Sequence, residues 1–125
     1  MSARYVLDGH EPRNEPNPKK WAMWFETADR RVARTMLLDG SVVSTVFLGL
    51  DHQFGNGPPL LFETCVFYAE ETQPATPSPY DRGRPMQASE VQTRHATWAE
   101  AEVGHMAIVE EVTAALAAWM PKVTP

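Results

Sequence analysis

Asp39-Gly40 constrains this chain more than any other pair of residues. It stands between a β-prone run at 31–38 (Arg-Val-Ala-Arg-Thr-Met-Leu-Leu) and a second at 41–50, rich in Val, Thr and Phe. Asp-Gly between two such runs is the strongest short-range hairpin signal, because both central residues of the tightest turn take positive φ. The spacing therefore predicts an antiparallel pair, 31–38 against 41–50, closed by a two-residue turn at Asp39-Gly40.

The rest of the chain builds on that hairpin. Asp51-His52-Gln53-Phe54-Gly55-Asn56-Gly57-Pro58-Pro59 reads as a loop, and 60–69 as a third strand. Three strands with short links form an antiparallel meander. The second and third are apolar on both faces, as central or covered strands are. Upstream, Tyr5-Val6-Leu7 is β-prone and ends at the turn signal Asp8-Gly9, and 9–18, with Pro12, Pro16 and Pro18, reads as an extended connection. Asn17-Pro18 then opens a helix. Asn accepts from free backbone N–H groups, and Pro at the first helical position loses nothing. Trp21, Trp24, Phe25 and Ala28 follow at one-face helical spacing, which predicts a helix over 18–29.

Thr97 with Glu100 three residues on is a capping-box pattern. Trp98, Ala101, His105, Ile108, Val112, Ala115 and Trp119 repeat at steps of three and four, predicting a helix over 98–119 that Pro121 stops. Between the third strand and this helix, 70–94 carries Pro74, Pro77, Pro79 and Pro85 among polar residues and reads as an irregular loop. The expected architecture is α+β: a three- or four-stranded antiparallel meander packed against two helices, forming one domain over 1–125.

Composition limits the function classes. The chain has 125 residues, enough for a core that buries roughly two-thirds of its unfolded surface. A net charge of −5 argues against sequence-independent contact with a phosphate backbone, which needs clustered Lys and Arg. The single cysteine, Cys65, cannot form an internal disulfide, so nothing points to an oxidising compartment. Residues 1–5 do not read as a signal peptide, and no apolar run approaches the ~20 residues of a membrane span. The expectation is a protein of the cytoplasm.

Several side chains are candidates for chemistry. His105 lies in the middle of an apolar stripe, so it faces the sheet; it is either a hydrogen-bonded core histidine, the favoured reading, or a base or ligand. Asp51 and His52 open a loop with Gly55 and Gly57, which serves as a turn or lines a small site. Glu63 shares a strand face with Leu61, Cys65 and Phe67. It is a candidate general base, or the partner of Arg34 or His105, the latter favoured. A metal site from His52, His105 and Asp51 or Glu63 lacks any paired-ligand spacing, and no metal or cofactor is expected. A mid-strand Cys65 is a small core residue rather than a nucleophile. In the long loop, Tyr80, Arg82 and Arg84 are residue types enriched at protein-binding hot spots.

Four stretches carry a resemblance: Trp24-Phe25-Glu26-Thr27; Asp29-Arg30-Arg31-Val32-Ala33; Val43-Ser44-Thr45-Val46-Phe47-Leu48-Gly49-Leu50-Asp51-His52; and Gly57-Pro58-Pro59-Leu60-Leu61-Phe62-Glu63-Thr64. With Thr97-Trp98, Glu100-Ala101-Glu102 and Gly104-His105, they resemble a family of short uncharacterised proteins from tailed bacteriophages, prophages and environmental bacteria. The likeness covers most of 5–69 and 94–112. The chain departs from it in a longer 70–94, at Cys65, where the resemblance leads one to expect Met, and in the helical tail after 112. The resemblance implies a context and no mechanism. The expected function is that of a phage- or prophage-type accessory protein in the host cytoplasm. It would act by binding another protein: host machinery, a defence system or a phage assembly. The alternatives are a small hydrolase or ligand-binding domain built on Asp51, His52, Glu63 and His105, and a virion structural protein.

Overall fold

The computed structural model describes residues 3–51, 56–69 and 89–119. Its elements in chain order are β1 (Tyr5–Asp8), β2 (Glu11–Asn14), α1 (Pro18–Thr27), β3 (Arg31–Met36), β4 (Val42–Phe47), β5 (Phe62–Phe67), β6 (Ser89–His95) and α2 (Trp98–Trp119). β1 and β2 form a two-stranded sheet, and β3-β4-β5-β6, in that order, an antiparallel four-stranded one. The fold is α+β, as expected.

The β3–β4 hairpin forms, but its turn is not the expected one. Leu37 N–H donates to Ser41 O at 2.7 Å and Gly40 N–H to Leu37 O at 3.0 Å, so Leu38-Asp39-Gly40 make a three-residue loop with Gly40 at φ +92°. This is the turn-plus-bulge solution that places one residue, a glycine, in the left-handed region. A buried serine selects it. The Asp39 carboxylate accepts from Ser41 N–H at 2.9 Å and Ser41 O–H at 2.8 Å, while Ser41 Oγ accepts Ala69 N–H at 2.9 Å. The turn is thus fastened to the end of β5.

The tight two-residue turn occurs elsewhere. Asp8 pairs with Glu11 across Gly9-His10, and Gly9 has φ +64°. The connection expected at 9–18 therefore contains β2. Pro12 fits there because β2 has no neighbour among the described residues on its far side. The hairpin tip lies on α2: the His10 and Trp98 rings stack at 3.7 Å, 4° from parallel.

α1 ends slightly before the expected 29. Asn17 Oδ1 accepts from the Lys19 and Lys20 N–H groups, each at 3.0 Å. Trp21, Trp24, Phe25 and Ala28 are the half-buried face, with Met23 and Glu26 exposed. Trp21 donates to Tyr5 O at 3.0 Å, tying α1 to β1.

α2 spans the expected residues. Glu100 N–H donates to Thr97 Oγ1 at 3.1 Å, and the Thr97 hydroxyl donates to the Glu100 carboxylate at 3.2 Å. Ala101, His105, Ile108 and Leu116 are its buried face; Ala115, expected in the stripe, is exposed, and the Trp119 side chain lies outside the described residues.

The fourth strand corrects the reading of 70–94: residues 89–95 pair with β5. A register shift between the Thr64 and Cys65 partners leaves Gln92 bulged. The bulge breaks the alternation by which a strand is recognised.

Candidate functional site

α2 packs on the sheet over two apolar clusters. Phe47, Leu61, Phe62 and Ala101 form one, joined by Trp24, Trp98, Tyr5, Leu7 and Val32; Val43, Val66 and Ile108 form the other. A polar row separates them. The register places Thr45, Thr64 and Thr93 side by side on β4, β5 and β6. Thr35 on β3 lies diagonally beside Thr45, being paired with Val43.

His105 sits on this row, only 1% exposed. Its Nε2 is 2.8 Å from Thr35 Oγ1, its Nδ1 is 2.8 Å from Thr45 Oγ1, and Thr45 Oγ1 is 2.6 Å from Thr64 Oγ1. Donor balance assigns the ring proton. If Thr64 donates to Thr45 and Thr45 to Nδ1, then Nε2–H donates to Thr35, and the one hydrogen left over is that of the Thr35 hydroxyl, on a half-buried residue within reach of water. The reverse order leaves the Thr64 hydrogen without an acceptor among the described residues. Burial pushes the His105 pKa below its ordinary value. In the first arrangement Nε2 is the donor toward Thr35 and does not serve as a base for its hydroxyl proton.

A second imidazole adjoins the row. His95 Nε2 and Thr93 Oγ1 are 2.9 Å apart, and the His95 ring lies against Gly104 of α2, where a β-carbon would collide with it. Glycine in mid-helix is there for that contact.

Glu63 lies on the other side of the sheet. Its carboxylate accepts from Arg94 Nε at 3.0 Å and from the Cys65 thiol at 3.2 Å. The expected partners, Arg34 and His105, are not the observed ones; Arg94 comes from the strand that the sequence reading missed. Burial, then the Glu63 hydrogen bond and charge, push the Cys65 thiol up to about 12 despite the opposing Arg94. The thiol is therefore held protonated and unreactive.

Asp51 Oδ1 accepts Leu60 N–H at 3.1 Å and so closes its own loop. His52, Tyr80, Arg82 and Arg84 lie outside the described residues. Of the four residues expected to share a site, Glu63 and His105 are therefore on opposite faces, and Asp51 serves a loop. Among the described residues, no three of His, Cys, Asp and Glu gather closely enough to hold a metal ion.

Sequence reasoning found His105 but not Thr35, Thr45, Thr64 or Thr93. Threonine is an ordinary strand residue, and only its recurrence at inward positions of successive strands would have marked it. The chain matches no family model, no curated protein and no solved structure. No described helix is long and apolar enough to cross a membrane.

Proposed function

We propose that this chain is an accessory protein that acts in the host cytoplasm by binding another protein, and that the partner is host machinery, a defence system or a phage assembly. The observation that supports it is the contrast between a sealed polar centre and an open apolar surface. His105, the strongest candidate for chemistry, is closed in by α2 and has both ring nitrogens engaged by threonines. Met23, Met36, Leu38, Val103 and Met106 meanwhile stand exposed on α1, the β3–β4 hairpin and α2. Apolar side chains grouped on a surface are characteristic of contact sites; here Met36 and Leu38 line one surface concavity, and Val103 and Met106 another. The resemblance to short phage and prophage proteins supplies the cellular setting.

The test is affinity capture with the tagged chain from phage-infected host cells, with bound proteins identified by mass spectrometry. One partner enriched in stoichiometric amount supports the reading. A substrate turned over by the purified chain, with no partner retained, overturns it.

A further inference from the structure

β3 is an edge strand. The sheet order leaves β4 its only neighbour among the described residues. Leu37 N–H points to β4. By the alternation of an antiparallel ladder, so do the N–H groups of Thr35 and Ala33, and the N–H and C=O groups of Arg34 and Met36 point to the free side. An edge of this kind is a template for one more strand. Thr35, between those two residues, is hydrogen-bonded to His105, which ties the strand to α2.

A cavity of about 230 Å³ lies at the end of this edge, lined by Met36, Leu37, Leu38, Thr113, Leu116 and Ala117. It is smaller than the ~300–1,000 Å³ of sites for free small ligands. It suits one aliphatic or aromatic side chain. Leu38 beside it is 93% exposed and Met36 is 64% exposed.

Charge identifies the occupant. Arg31 and Arg34 are exposed along β3, and neither belongs to an ion pair among the described residues. A second copy pairing through the same edge would set arginines against arginines, which is destabilising. An acidic strand would meet them favourably. Resting on the protein-binding function proposed above, we infer that the β3 edge takes an extended acidic segment of the partner protein as an added strand, with one of its apolar side chains seated in the cavity.

The test pans a display library of random linear peptides against the immobilised full chain. The best peptide is then synthesised and titrated, by fluorescence anisotropy, against the wild type, Arg34→Glu and Ala117→Trp. Both substituted residues are exposed, so both variants should fold, which circular dichroism checks. The expected peptides alternate Asp or Glu with β-formers around one large apolar residue. Each variant should weaken binding about tenfold or more. Amide resonances of Arg34 and Met36 should shift on binding.

Recovery of no peptide, of basic peptides, or of peptides that bind both variants like the wild type overturns the inference. So does concentration-dependent self-association of the wild type that Ala117→Trp abolishes, which would make a second copy the occupant. A partner captured from host cells that binds both variants undiminished overturns the edge site and leaves the proposed function standing. Peptides that bind the edge, with no partner captured from cells, support the edge site and count against the proposed function.

Discussion

His105 Nδ1 lies 2.8 Å from Thr45 Oγ1, and this contact joins the centre of α2 to the centre of β4. It explains why an apolar helical stripe carries a histidine at its middle. A buried imidazole is tolerable only if both nitrogens are engaged, and both are. The contact is also directional, so it fixes the position of α2 over the sheet as apolar packing alone would not.

Removing the ring should therefore expose the dependence of the row on it. His105→Leu keeps an apolar volume but leaves Thr35 and Thr45 without the ring. We expect a loss of roughly 1–3 kcal/mol, measured by urea unfolding. Thr45→Val and Thr64→Val added to His105→Leu should recover part of that loss, because no buried hydroxyl is then left poorly partnered. A triple variant less stable than His105→Leu would refute the network.

Acid should destabilise the fold through the same ring. Burial holds the folded-state His105 pKa below the ~6.5 of an unfolded histidine. Between those values the unfolded chain binds a proton that the folded one refuses. The contribution to stability is complete above about pH 6.5 and declines below it, by at most ~1.4 kcal/mol per pH unit. It levels off once the folded-state ring also protonates. Urea midpoints across this range should fall more steeply for the wild type than for His105→Gln. Parallel curves would contradict the assignment.

Gly104→Ala should lower stability, although Ala in a helix interior usually gains about 1 kcal/mol over Gly. The added methyl meets the His95 ring, and moving that ring breaks its bond to Thr93. With His95→Ala in place, Gly104→Ala should become neutral or stabilising. A double-mutant cycle by thermal unfolding measures the coupling, and independent effects would show that the two residues do not collide.

Cys65 should resist alkylation. With its thiol pushed up to about 12, almost no thiolate is present near neutral pH. Iodoacetamide at about pH 8 should modify the folded chain far more slowly than the urea-unfolded chain. Glu63→Gln should raise the rate by removing the carboxylate charge. A fast reaction in the folded wild type would refute the environment described for this thiol.

The helices and the hairpin were legible in the sequence because their causes are local. Asn17-Pro18 and Thr97 start helices through bonds that reach two or three residues, and the Trp21 and Ile108 stripes repeat within a few turns. The β3–β4 pairing follows from neighbouring runs and a glycine between them. The face of α2 that carries His105 was legible too, since periodicity alone directs it inward. Tertiary structure decided the rest. Ser41, held between Asp39 and Ala69, chose the three-residue turn. The bulge at Gln92 hid β6, and with it Arg94, the true partner of Glu63. The threonines around His105 come from three different strands, so they meet only when register aligns them. Periodicity decides which way a side chain points, but its partner depends on a register set by contacts far along the chain.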